Sequence, residues 1–189
     1  FRTINSLLKS LKKSKQYINN INLQITIIDS GSSKGDKEKM QEILEKSTFK
    51  FNFIELNLND YLQRIKVIKK NNTQIENNMK STMASIIKSF EISKNFDDLI
   101  YFVEDDYIHQ KNSIGEMILT YERIASQLNR EIIICPSDYP YLYTKAESTQ
   151  NFLGHDYHWR KVNETLCTFL TSRKMLEKYW DKYLSMCKK

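Results

Sequence analysis

Three consecutive carboxylates, Glu104, Asp105 and Asp106, follow directly on an apolar run in "DDLIYFVEDDYIHQ" (97–110). If the chain stays extended there, Glu104 and Asp106 point to one side and Asp105 to the other. Carboxylates this close raise one another's pKa unless a cation neutralises them. Mg²⁺ or Mn²⁺ suits the arrangement, because each takes one or two carboxylates and fills its shell with phosphate oxygens. A solvated acidic turn is the plain alternative. Placement at the end of a buried strand favours a site, since ligands of open α/β sheets bind beyond the carboxyl ends of the strands.

The elements that would position these groups can be read from hydrophobic period. Ile4, Leu7, Leu8, Leu11 and Ile18 mark a helix over 3–18, with Lys9, Lys12 and Lys13 mostly on the other face. "LQITIID" reads as a strand ending at Asp29 and the turn "SGSSKG". Further helices are expected over 36–46, 78–94, 113–128 and 173–186, and further strands over 49–56, 98–103, 131–135 and 165–172. Strands alternating with helices predict an α/β fold with a mostly parallel sheet. The ends of those strands carry Asp29, then 104–106, then Pro136-Ser137-Asp138. The chain's only two prolines, Pro136 and Pro140, bracket Ser137-Asp138-Tyr139 and restrict that loop. Two of the four glycines, Gly31 and Gly35, follow Asp29, and Gly154 precedes "HDYHWR".

The chain has 189 residues, 40% of them hydrophobic, enough for one sizeable core and short for two. No run is long and apolar enough to span a bilayer, and no secretory signal opens the sequence. Phe1 in place of Met suggests a piece trimmed from a longer chain. Cys135, Cys167 and Cys187 are odd in number and widely spaced, which shows neither a disulfide framework nor zinc-ligand spacing and points to a reducing, cytoplasmic setting. The net charge of +6 favours acidic partners such as phosphates, although abundant Lys, Asn and Ile also reflect AT-rich coding. No basic-aromatic pattern for nucleic acid emerges. The polar tract "KKNNTQIENN" (69–78) is the one stretch that reads as a flexible insert.

"ITIIDSGS", "IYFVEDDYIH" and "TLCTFLTSRKML" together resemble, in order and spacing over most of 1–180, a nucleotide-sugar-dependent glycosyltransferase of the GT-A type, close in pattern to glycosyltransferase family 2. The resemblance implies a GT-A-like, Rossmann-like three-layer sandwich with a mostly parallel central sheet, as one domain over 1–189 whose first strand lies outside this sequence. It implies that Asp29, with Ser30 beside it, contacts the donor's nucleobase. Asp105 would face the donor ribose, and Asp106, with Glu104, would bind the Mn²⁺ or Mg²⁺ bridging the diphosphate. A later histidine completes the metal shell in some members of the fold, and His155 and His158 are the candidates.

No Glu-Asp pair follows the last strand, where family 2 members often carry the catalytic base. Asp138 is the best internal substitute, with closing a turn as its structural alternative. In "GHDYHWR", Arg160 could grip phosphate, and Trp159, Tyr157, Tyr141 and Tyr143 could stack on a sugar; alternatively those aromatics anchor a surface loop. Lys80 and Ser81 lie early in the expected helix 78–94, whose N-terminus could attract phosphate, against the simpler reading of a solvated lysine. The lysine face of the first helix could meet anionic lipid, at the inner face of a membrane, or simply be solvated.

The expected function is metal-dependent transfer of a sugar from a nucleotide donor to a glycan, lipid-linked or protein acceptor. The rivals are a catalytically silent nucleotide-sugar-binding module and a sugar nucleotidyltransferase. The last would normally show a Gly-rich phosphate loop, which this sequence lacks.

Overall fold

A computed structural model describes residues 1–66, 73–144 and 148–188. The element order is α1 (Arg2–Ser14), β1 (Gln24–Asp29), α2 (Lys34–Glu45), β2 (Lys50–Glu55), α3 (Thr73–Ser93), β3 (Leu99–Phe102), α4 (Ser113–Leu128), β4 (Ile133–Ile134), β5 (Asn151–Leu153), β6 (His158–Arg160), β7 (Phe169–Ser172), α5 (Arg173–Lys178) and α6 (Trp180–Ser185). The α/β class expected from the hydrophobic period is what the chain adopts. The described sheets are small, with two, three and two strands. The chain packs as two compact units, Phe1–Ile21 with Asp98–Met175, and Asn22–Asp97 with the segment from Leu176 onward.

In the first unit β7 is the middle strand, antiparallel to β3 on one side and to β4 on the other. β3 and β4 therefore run in the same direction. Phe102 faces Phe169 across the β3–β7 pair with ring centroids 5.0 Å apart, and Ile134 and Leu170 are buried beside them. β5 and β6 form a separate antiparallel hairpin.

α4 buries Ile114, Met117, Ile118, Tyr121 and Ile124 at helical spacing. α1 packs on α4 and buries Ile4 and Leu11 together with two serines, Ser10 and Ser14. Those serines have a definite task. The first N–H groups of a helix lack intrahelical partners, and Asn112, at the N-cap of α4, makes no side-chain cap. Ser10 Oγ accepts from Ile114 N–H at 3.2 Å and Ser14 Oγ from Gly115 N–H at 2.8 Å. α4 is thus capped by another helix. A Cβ on Gly115 would lie only 3.1 Å from Ser14 Oγ, so the glycine permits this approach.

In the second unit β1 and β2 are parallel, with Asp29 opposite Glu55. Ser33 caps α2: Asp36 N–H donates to Ser33 Oγ, and the Ser33 hydroxyl donates to the Asp36 carboxylate. Tyr61, Ala84, Ile87 and Cys187 form one buried cluster of this unit. α3 begins at Thr73, five residues before the expected start. Of the supposed flexible insert, residues 69–72 lie outside the described residues, and the remainder is helix. The expected closing helix 173–186 divides at Tyr179 into α5 and α6.

Candidate functional site

β3 delivers the chain to the acidic triplet. Phe102 is buried, Glu104 is half-buried, and Asp105 and Asp106 are exposed. Glu104 is held from the segment entering β7: its N–H donates to Thr168 Oγ1 at 3.1 Å, and the Thr168 hydroxyl lies 3.4 Å from Glu104 Oε2. Thr168 is fully buried. Burial, then the charges of Asp106 and Asp105, push the Glu104 carboxyl above the ordinary glutamate value, against the Thr168 hydroxyl, which lowers it.

The same place gathers the proline-bracketed loop. The Tyr107 hydroxyl bonds with the hydroxyl of Tyr139, which follows Asp138 in that loop. The side chain of Asp138 is 56% exposed. One Asp138 oxygen accepts from Arg160 Nη2 at 3.2 Å, and the other accepts from the Tyr143 hydroxyl. The Arg160 guanidinium also stands 4.3 Å over the Tyr143 ring.

On either side of Asp106 the chain is pinned to α1. Thr3 donates its hydroxyl to the Asp105 carbonyl, and His109 N–H donates to Ser6 Oγ at 2.9 Å. Ser6 gives its own proton to the Thr3 carbonyl, so the His109 Nδ1 3.3 Å away donates to Ser6. His109 Nε2 then accepts from the Tyr101 hydroxyl at 3.2 Å. Burial pushes His109 down and Tyr101 well up, which keeps the imidazole neutral and the phenol protonated, as this chain of bonds requires.

"GHDYHWR" is the β5–β6 hairpin turn and its second strand. Its organiser is Glu116, on α4 and 5% exposed. The Glu116 carboxylate accepts from Asp156 N–H at 2.7 Å, Trp159 Nε1–H at 2.9 Å, the Thr120 hydroxyl at 2.9 Å and Tyr157 N–H at 3.4 Å. Burial alone would raise its pKa; those four donors outweigh burial and hold it below the ordinary value. Gly154 is required here, because a Cβ would come within 2.5 Å of both Thr120 Oγ1 and the Trp159 ring. Glu116 was not singled out from the sequence. The signal was present, a carboxylate inside the buried stripe of 113–128.

His155 and His158 are both on this hairpin and exposed. His155 meets the Tyr17 ring edge-on at 5.5 Å, and its Nε2 is 3.8 Å from Asp156 Oδ1. Among the described residues no three His, Cys, Asp or Glu side chains are gathered so as to hold a metal ion by themselves. Glu104 and Asp106, two positions apart at the end of β3, carry hard oxygen ligands. They fit a cation that takes its other ligands from phosphate and water.

Asp29, Ser30 and Lys80 belong to the second unit. Asp29 is buried, and its Oδ2 accepts from Gly31 N–H at 3.3 Å and Ser32 N–H at 3.2 Å, with Lys37 Nζ at 3.7 Å. Burial would raise its pKa, but the Ser32 and Gly31 donors and the Lys37 charge hold it low. Gly31 supplies the φ of +135° that the turn needs. Ser30 is exposed in the same turn. Lys80 lies seven residues inside α3, so the unpaired N–H groups at that helix's start are not beside it.

Cys135, Cys167 and Cys187 are free thiols. Cys135 and Cys167 are only half-buried, in the loops around Thr168, while Cys187 is fully buried. No helix among the described residues is long and apolar enough to cross a membrane. No family model, curated protein or solved structure matches the chain.

Proposed function

We propose that the chain is a GT-A-like glycosyltransferase, with the three-layer, mostly parallel sheet of that fold, and that the acidic end of β3 binds the diphosphate of a nucleotide-sugar donor. The observation that carries this reading is the half-buried Glu104, held by Thr168 and raised by its own burial and by Asp106 and Asp105. Perturbed carboxylates beside one another at a strand end gather at functional sites. Glu104 and Asp106 would hold Mn²⁺ or Mg²⁺, with His155 and His158 as the further candidates that the resemblance offers. The bound cation supplies charge neutralisation at the departing nucleoside diphosphate.

The chain's own residues have separate tasks. The Thr168 hydroxyl fixes the Glu104 carboxylate. Tyr107, bonded to Tyr139, places the loop that carries Asp138. Asp138 accepts the proton of the attacking acceptor hydroxyl, and Arg160 and Tyr143 orient its carboxylate. The nucleobase role that the resemblance implies for Asp29 is a separate part of the proposal. It adds to the turn-closing that this carboxylate already performs.

A catalytically silent nucleotide-sugar-binding module is the second reading. It is favoured by the engagement of both Asp138 oxygens. The test of the site is thermal shift with nucleoside diphosphates, with and without Mn²⁺. Asp106→Ala should abolish most of the metal-dependent stabilisation and leave the melting temperature of the unliganded protein nearly unchanged. Equal stabilisation of the variant, or full stabilisation in EDTA, would overturn the assignment.

A further inference from the structure

α1 carries its cations in one stripe. Arg2, Lys9, Lys12 and Lys13 recur at helical spacing and, with Lys111 and Ile108, line an open groove of about 1010 Å³ in the first unit. No carboxylate is in the lining; Glu104, Asp105 and Asp106, two to four positions before Ile108, are not part of it. Among the described residues none of the five cations is in an ion pair, and Lys13 bonds only to the amide oxygen of Gln16. The fold therefore leaves five like charges beside one another with no internal counter-charge. Ile108, among them, is 62% exposed.

The extent and composition of the patch select its partner. From Arg2 to Lys13 the stripe runs roughly 16 Å at the helical rise. That is wide for one phosphate and suited to several headgroups. Lysine stems and an isoleucine offer an apolar layer beneath charged tips, the arrangement that lies well at a bilayer surface. The one ring in the lining, His109, is half-buried against Tyr101 and has both nitrogens engaged, so no ring is presented for a base to stack on.

We propose that this groove docks the first unit on the headgroup face of an anionic lipid bilayer, with the five cations on the headgroups and Ile108 in the interfacial layer. The inference stands independently of the sugar-transfer reading.

The test is sedimentation of the full chain with phosphatidylcholine vesicles, with and without phosphatidylserine. Binding should need phosphatidylserine and fall with salt. Each lysine removed should weaken partitioning about fivefold, so the triple variant Lys9→Gln/Lys12→Gln/Lys13→Gln should lose on the order of a hundredfold. The control Lys34→Gln/Lys46→Gln/Lys50→Gln makes the same change in net charge within the second unit and should lose far less. Ile108→Ser should weaken binding several-fold at constant charge, a readout that holds even if the triple variant misfolds. Equal losses in the two triple variants, or unchanged binding by Ile108→Ser, would overturn the docking mode. Failure to bind anionic vesicles, with tight binding to a single-stranded oligonucleotide instead, would transfer the groove to nucleic acid and overturn the lipid assignment.

Discussion

The Trp159 indole N–H donates to Glu116 Oε1 at 2.9 Å, and that bond ties the β5–β6 hairpin to the buried stripe of α4. Glu116 serves this hairpin as a turn of backbone would, accepting also from Asp156 and Tyr157. Glu116→Ala leaves those donors without their acceptor in a site that largely excludes water. The cost should be about 3–5 kcal/mol, and the emission of one of the two tryptophans should shift. Glu116→Gln keeps one carbonyl oxygen and should fall between. Because the folded pKa of Glu116 is depressed, its contribution is present above the unfolded glutamate value and is lost as pH falls through the folded one. Acid titration followed by tryptophan emission checks this.

Glu104 should behave in the opposite sense. Its folded pKa is raised, so the stability it contributes is present below the unfolded glutamate value and is lost as pH rises through the folded one. Glu104→Gln should therefore leave the melting temperature at neutral pH unchanged or higher. If Glu104 is a metal ligand as proposed, the same variant should weaken Mn²⁺-dependent nucleotide binding about tenfold or more. Calorimetric titration beside a melting curve separates the two effects.

His109 offers a test of the tether between α1 and the acidic loop. The native network uses the neutral ring, with Nδ1–H to Ser6 and Nε2 accepting from Tyr101. Its folded pKa is depressed, so stability is full above the unfolded histidine value and declines as pH falls from there toward the folded value. The melting temperature should drop across this interval, and His109→Gln should flatten the drop.

Asp138→Asn distinguishes a base from a turn residue. The amide keeps one oxygen to accept from Arg160 and can donate its NH₂ to the Tyr143 hydroxyl, but it cannot take a proton at neutral pH. Transfer should fall by about a hundred- to ten-thousand-fold while nucleotide and metal binding persist. Near-normal turnover per folded molecule, with a lowered melting temperature, would leave Asp138 only its bonds to Arg160 and Tyr143.

Much of this was legible in residue order. The run from Leu99 to Val103 reads as a strand because five apolar residues precede three charges, and 113–128 reads as α4 because its apolar residues recur at helical spacing. The β5–β6 hairpin was not legible, since strands of three residues are too short to show a period of two. Of the expected strand 165–172 only 169–172 pairs, and Thr165, Cys167 and Thr168 instead form the loop that meets Glu104 and Cys135. Strand direction was hidden for another reason. Alternation fixes which face a side chain takes and says nothing of which neighbour a strand selects, so the antiparallel place of β7 between β3 and β4 rests on contacts distant in sequence. Glu116 was passed over because an acidic residue in a helix is ordinarily read as solvated.

The two serines of α1 that cap α4 have a consequence for how the first unit opens. Amide hydrogens in the first turn of a helix usually exchange with solvent rapidly, having no bond to break. Those of Ile114 and Gly115 are buried and bonded to Ser10 and Ser14, so they can exchange only when α1 lifts away. Their protection factors should match those of the α1 core amides and fall with them on Ser14→Ala, which makes the start of one helix a reporter on the docking of another.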